Sequence, residues 1–208
     1  MSKFVLFIAL ILGISGIIVC VRLPPVKAVD IIWKEGHITA DETWFYIPNT
    51  IYRVIGDVYV DPGVKLTIEP NVTIQFADGF SLIVDGSLNA TGTGSESIVF
   101  TSSRTSPSAG AWNTVMFRGN SGEEFLLKHV RLMYAANGVT VEGTTSARIE
   151  TSEVFNCSTG LRLRGQSNVF IEHNKLMHNG VGVASEASFS GNIEAMNNTI
   201  VELSLIHI

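Results

Sequence analysis

Between residues 125 and 200 the chain repeats itself about every 22 positions, and a repeat of that length is a solenoid's. Leu127 to Leu132 aligns with Ile149 to Val154 and again with Ile171 to Leu176, at intervals of 22 and 22. Each block then reaches a glycine and a short alternating segment: Gly138-Val139-Thr140-Val141, Gly160-Leu161-Arg162-Leu163 and Gly180-Val181-Gly182-Val183. The columns Leu127/Ile149/Ile171, Leu132/Val154/Leu176, Val139/Leu161/Val181 and Val141/Leu163/Val183 are wholly apolar. The columns between them, Thr140/Arg162/Gly182 and Glu142/Arg164/Ala184, are not. Period-two alternation marks strands with one buried face. A unit this short cannot bury that face alone, so successive units must stack at about 4.8 Å around a shared interior, as a parallel β-helix. Outward columns suit that register, since Arg131, Glu153 and Lys175 alternate in sign and Glu142 falls beside Arg164.

Lys3 precedes a run from Phe4 to Val21 that carries no charge, followed by Arg22, Pro24, Pro25 and the small-residue site Val26-Lys27-Ala28. Residues 1–28 read as a secretory signal, with an uncleaved N-terminal anchor helix as the competing reading because the run approaches spanning length. Cys20 lacks the small preceding residues expected of a lipid-modified cysteine. Either route carries the rest of the chain across a membrane. Without residues 1–28 the charge moves from 14 − 19 = −5 to 11 − 19 = −8, and an acidic exterior argues against nucleic acid as a partner, leaving membrane association to the N-terminal segment. Cys157 is then the one cysteine left, so no internal disulfide forms and the stacked core must supply stability.

At the other end, Leu203-Ser204-Leu205-Ile206-His207-Ile208 reads as the translation of a transposon end used in preparing sequencing libraries, with a further apolar strand as the plainer reading. On the first reading, residues 203–208 are non-native and the chain is a C-terminally truncated fragment.

Residues 55–103 are short alternating segments separated by Asp61-Pro62-Gly63, Asp78-Gly79 and Asp85-Gly86, which supply the preset or positive φ that a coil corner needs. The order of DPGVKLTIEPNVTIQF, LIVDGSLNATGT and IVFTSS, then a tryptophan strand at residues 111–117 and the later IEHNKLMHNGVGV, resembles secreted right-handed parallel β-helix repeat proteins of bacteria and archaea. The resemblance covers roughly residues 55–200 and implies an all-β, right-handed solenoid at residues 55–202. It does not choose a function, because such proteins include polysaccharide lyases, epimerases, hydrolases, adhesins and surface-layer parts. Residues 29–54 carry Trp33, Trp44, Phe45, Tyr46 and Tyr52 without a repeat and are expected to cap the open end. Carbohydrate stacking on Trp33 or Trp44 is their other reading. Residues 104–124 read as a protruding loop.

Polysaccharide-cleaving β-helices set carboxylates and a basic residue on the outside of adjacent coils. Glu150 above Glu172, with Lys128 one coil earlier, is the acidic pair that fits. Two acids fall short of the six or more oxygens that Ca²⁺ takes, which favours a solvated column, and no catalytic residue, cofactor or metal ligand is assigned. His129 and His173 share a column across Thr151, nearly 10 Å apart at two coil spacings, too far for one metal ion. His178 lacks further ligands nearby. Asp57, Asp61, Asp78 and Asp85 sit in turn settings. Asn174 and Asn179, with Asn137 and Asn198, read as a corner ladder. Met133/Phe155/Met177 reads as core at a bend, or else as an exposed apolar stripe. Four sequons place possible N-glycosylation at Asn71, Asn89, Asn156 and Asn197. The expectation is an extracellular or cell-surface structural and binding module presenting a face to polysaccharide or surface glycan. The alternative is a polysaccharide-acting lyase, epimerase or hydrolase whose active coil is formed partly by C-terminal sequence missing from the fragment.

Overall fold

The computed structural model describes residues 28–120, 122–143 and 146–201, together with the backbone of Ile8–Leu10 and Val19–Val21. Most of the expected N-terminal helix falls outside these residues, as do residues 203–208. Within residues 1–28, Ile8–Leu10 and Val19–Val21 are extended and pair antiparallel. Among the described residues no helix is long and apolar enough to cross a membrane.

From Asp30 onward the chain winds a right-handed parallel β-solenoid of about 8 coils. Three faces recur in chain order. The first collects Thr73–Phe76, Ile98–Ser102, Val130–Met133, Glu153–Phe155, Lys175–Met177 and Thr199–Val201. The second collects Leu82–Val84, Val115–Phe117, Asn137–Val141, Thr159–Leu163 and Val181–Ser185. The third runs from Glu42–Trp44 through Lys65–Ile68, Ser87–Thr91, Glu124–Lys128, Ser146–Glu150 and Asn168–Glu172 to Asn192–Met196. In the opening coils the first two faces are not yet separate: Asp30–Ile38 and Thr50–Val60 run unbroken across both.

The register follows from which side chains can be dry. Leu132, Val154 and Leu176 align, as do Leu127 with Ile149 and Ile149 with Ile171, and all six are buried. Aromatic rings fill the wider lower coils, where Trp112 stacks on Phe76 at 4.1 Å and Phe117 meets Phe125 at 4.4 Å. Trp112 is fully buried and Val115–Phe117 is a strand, so the expected loop at 104–124 is divided into a stretch before Ala111 and a second, shorter one between Phe117 and Glu124. The reason is the ring itself, whose Nε1 donates to the Met133 carbonyl from inside the core.

The second-face column of the last full coil also differs from the sequence alignment. Leu161 pairs with Val183, not Val181, and Gly160 stands beside Gly182, not Gly180. The 22-residue interval is kept because the backbone is pinned just before it: Asn179 Oδ1 accepts the Cys157 N–H at 2.9 Å, and the Gly180 N–H donates to the Cys157 carbonyl.

Corners are built from two adjacent positions. The first takes a left-handed φ: His129 (50°), Thr151 (48°), His173 (54°) and Asn197 (54°) where the third face turns into the first, and Tyr134 (68°), Asn156 (55°) and His178 (54°) where the first turns into the second. Asn and His tolerate this region better than most residues. The next residue turns inward and, where it is polar, serves the backbone. Ser152, Asn174 and Asn198 form one ladder in which Asn174 Oδ1 accepts the Ser152 N–H and its Nδ2 donates to the Ile149 carbonyl. Asn198 repeats the pattern on Asn174 and Ile171. Asn137 lies outside the ladder, in a strand opposite Thr159.

Residues 29–54, expected to cap the open end, pair in parallel with the coils that follow. Within them two polar side chains take inward positions: Lys34 opposite Val54 and Glu42 opposite Leu66. They form an ion pair over the stacked rings of Trp44 and Tyr52, with Lys34 Nζ 5.5 Å and 5.8 Å from the two ring centres. Inward charge and the register shift between Lys34 and Gly36 both discourage another strand from joining this edge.

Candidate functional site

The outer surface of the first face in the last coils gathers most of the polar residues singled out in the sequence. Outward positions on each strand give two parallel rows. One is Arg131, Glu153, Lys175 and Thr199; the other is Met133, Phe155, Met177 and Val201. In the first row Glu153 accepts from Arg131 at 3.2 Å and from Lys175 at 3.4 Å. The second row does not turn into the core, as was expected of it. Strand alternation sends Leu132, Val154 and Leu176 inward and forces their neighbours out, where Met133, Phe155 and Met177 are half-buried against one another and Arg131 lies 5.4 Å from the Phe155 ring centre.

A groove flanks each side of these rows. Along the corner that enters the face, a volume of about 350 Å³ is lined by His129, Arg131, Thr151, Glu153, His173 and Lys175. Along the corner that leaves it, about 340 Å³ is lined by Arg131, Glu153, Phe155, Asn156, Met177 and His178. All three corner histidines therefore edge one surface, although no common role was expected of them. Their left-handed φ turns each side chain away from the core, the same property that fits them to the bend. Among the described residues no group of three or more His, Cys, Asp or Glu could hold a metal ion.

The acidic pair lies elsewhere, on the third face. Lys128, Glu150 and Glu172 are in register on successive coils. Glu150 is held by Arg148 at 2.8 Å and Lys128 at 3.2 Å. The hydrogen bond from Arg148 leads in holding its carboxyl below the usual carboxylate range, with Lys128 adding to it against desolvation. A carboxylate kept ionised by two cations is a poor proton donor. Glu172 turns instead toward His173 at 3.4 Å.

The turn aspartates do more than bend the chain. Asp78 accepts from Nε and Nη2 of Arg104, and Asp85 from the same two nitrogens of Arg118. Asp57 accepts the Ser81 N–H and Asp61 pairs with His37. Arg118 follows Asp85 one coil on, and Glu142, Arg164 and Glu186 continue the same corner position with alternating sign, Arg164 meeting Glu142 at 3.5 Å and Glu186 at 2.9 Å. Only the Glu142–Arg164 step was legible in the sequence: unequal intervals hide Asp85–Arg118 and Arg118–Glu142, and the two-residue slip at Gly180 put Ala184 in the column that Glu186 occupies. Cys157 is free and buried in the core, and burial pushes its thiol up to about 12.

Of the four sequon asparagines, Asn71, Asn156 and Asn197 occupy left-handed positions with φ of 66°, 55° and 54°. Corner chemistry alone selects asparagine there. Asn71 and Asn197 are exposed; Asn89 sits on the outer side of Ser87–Thr91 with its Oδ1 accepting from Thr91.

No curated protein and no solved structure matches the chain. A family model does: the parallel β-solenoid described above carries, at residues 36–128, a match to the family described as the pectate-lyase like beta helix domain.

Proposed function

We propose that this protein is an exported module that holds polysaccharide or surface glycan along the outer surface of its first face. One observation carries the reading: a half-buried apolar row containing Phe155 runs beside a charged row, with a groove on each side, over successive coils. Sugar rings combine an apolar face with a rim of hydroxyls, so an extended glycan finds both requirements met in parallel. The rigid stack keeps the contacts at a fixed repeat of about 4.8 Å, which favours a regular polymer over a compact ligand. A polysaccharide-related role also accords with the pectate-lyase-like match. The sequons at Asn71, Asn89, Asn156 and Asn197 belong to this reading as carbohydrate-acceptor positions wherever the host glycosylates such motifs.

The test is binding to a panel of plant, microbial and animal polysaccharides by affinity electrophoresis. Phe155→Ala is expected to weaken the retained glycan about tenfold, equivalent to about 1.4 kcal/mol, with an unchanged circular dichroism spectrum. Retention by no glycan, accompanied by self-assembly into sheets, would replace this reading with that of a surface-layer spacer. The family match supports a second reading, a polysaccharide-cleaving enzyme with Glu150 and Glu172 on its active coils. It requires new reducing or unsaturated ends to appear on incubation and to vanish with Glu150→Gln.

A further inference from the structure

Large apolar side chains meet solvent at the two ends of the solenoid, and the ends differ in kind. In the last coils Ile193 and Ile200 occupy inward columns above Val169 and Leu176, so their exposure is that of core columns. In the opening coil the exposed side chains are Val29, Trp33, Phe45, Tyr46 and Ile47, with Trp33 and Phe45 both 55% exposed. These are not core awaiting a neighbour, because the mouth beneath them is already closed by Lys34 and Glu42 over Trp44 and Tyr52. Trp33 points outward beside Arg53. The Phe45 carbonyl accepts from Tyr52 Oη, and the Tyr46 N–H donates to Glu69 Oε2, so the backbone is tied down while its side chains face out.

Several large apolar side chains exposed on one coil mark a contact, and Trp, Tyr and Phe are the side chains that settle at a membrane–water interface. The sequence places a lipid-soluble partner next to this collar: the 18 residues from Phe4 to Val21 carry no charge, and Arg22 and Lys27 flank them. The stretch from Arg22 to Ala28 reaches at most about 25 Å when extended, so any lipid seat for that run holds the opening coil near the bilayer. We propose that the collar is a bilayer-contact surface, on which the opening coil rests against the phospholipid interface while Phe4 to Val21 remains on the protein as its anchor. Of the two readings of the leader, the collar selects the retained one, since a freely secreted chain gains nothing from five solvent-exposed apolar side chains in one coil.

The full chain in phosphatidylcholine vesicles with brominated acyl chains gives a direct test, because Trp44 and Trp112 are wholly buried and Trp33 alone of the three is exposed. Tryptophan emission is expected to fall relative to unbrominated vesicles, and the fall is expected to disappear in Trp33→Leu. Replacing Phe45, Tyr46 and Ile47 together by serine is expected to reduce it at least twofold while the chain still pellets with the vesicles. Equal emission in the two kinds of vesicle, a full chain that stays out of the pellet, or a cell-derived protein whose N-terminus begins after Ala28 would each overturn the proposal.

Discussion

Single residues in this solenoid are chosen by corner geometry as much as by chemistry, and Thr151 shows the cost. A β-branched side chain at φ 48° is a steric outlier, whereas Asn and His are not. Thr151→Asn is expected to raise the denaturation midpoint, with a gain of about 1 kcal/mol, the scale of strain at one left-handed position; a lowered midpoint would show that the hydroxyl serves the groove. Glu150 gives the chain a pH dependence of known sign. Its folded carboxyl lies below its ordinary value of 4.5 because Arg148 and Lys128 hold the charge. Its stabilisation is therefore full above that ordinary value and is lost as the pH falls through the folded one. Acid titration followed by circular dichroism should show a shallower loss in Glu150→Gln than in the parent chain.

Strands and their registers were the most legible level, for a physical reason: every coil offers the same environment, so the same residue types return at the same interval. Leu127, Ile149 and Ile171 could be aligned unaided. The second-face alignment slipped by two at Gly180 because glycine there resembles Gly160, yet Gly160 faces Gly182, where a Cβ would lie 2.6 Å from the Gly182 carbonyl oxygen. That column of close backbone approach is a packing fact that no pattern of polarity records. Gly160→Val is expected to destabilise by roughly 2 kcal/mol or more, within the range of overpacking, and to lower the thermal midpoint; a neutral effect would mean that the coils separate freely there. Face membership by alternation placed the residues within a strand, but the outward turn of Met133, Phe155 and Met177 and the burial of Trp112 depended on where corners begin. Corner position rests on hydrogen bonds between coils, such as Asn174 to Ile149, that join residues distant in sequence.

For the whole molecule, stability is a sum over stacked coils, each coupled to its neighbours. The closed end should therefore matter to association more than to folding. Replacing Lys34 and Glu42 together by leucine removes inward charge from an edge strand. It is expected to leave the far-ultraviolet spectrum unchanged and to raise the concentration-dependent oligomer fraction above that of the parent chain by light scattering. An unaltered size distribution would show that the register shift at Lys34 and Gly36 guards the edge by itself. The face proposed to hold glycan lies at the other end, in coils that the pectate-lyase-like match does not reach, so geometry rather than likeness supports it.

The unbroken strand Thr50–Val60 has one more implication. It crosses two faces with only residues 55–57 between its paired segments, whereas the equivalent crossing in later coils takes in residues 77–81 and then 103–114. The backbone pairings on either side keep their phase regardless of what is spliced between them. Here the molecule can gain or shed whole stretches of chain, and with them new recognition, while every ring and methyl inside stays where it was.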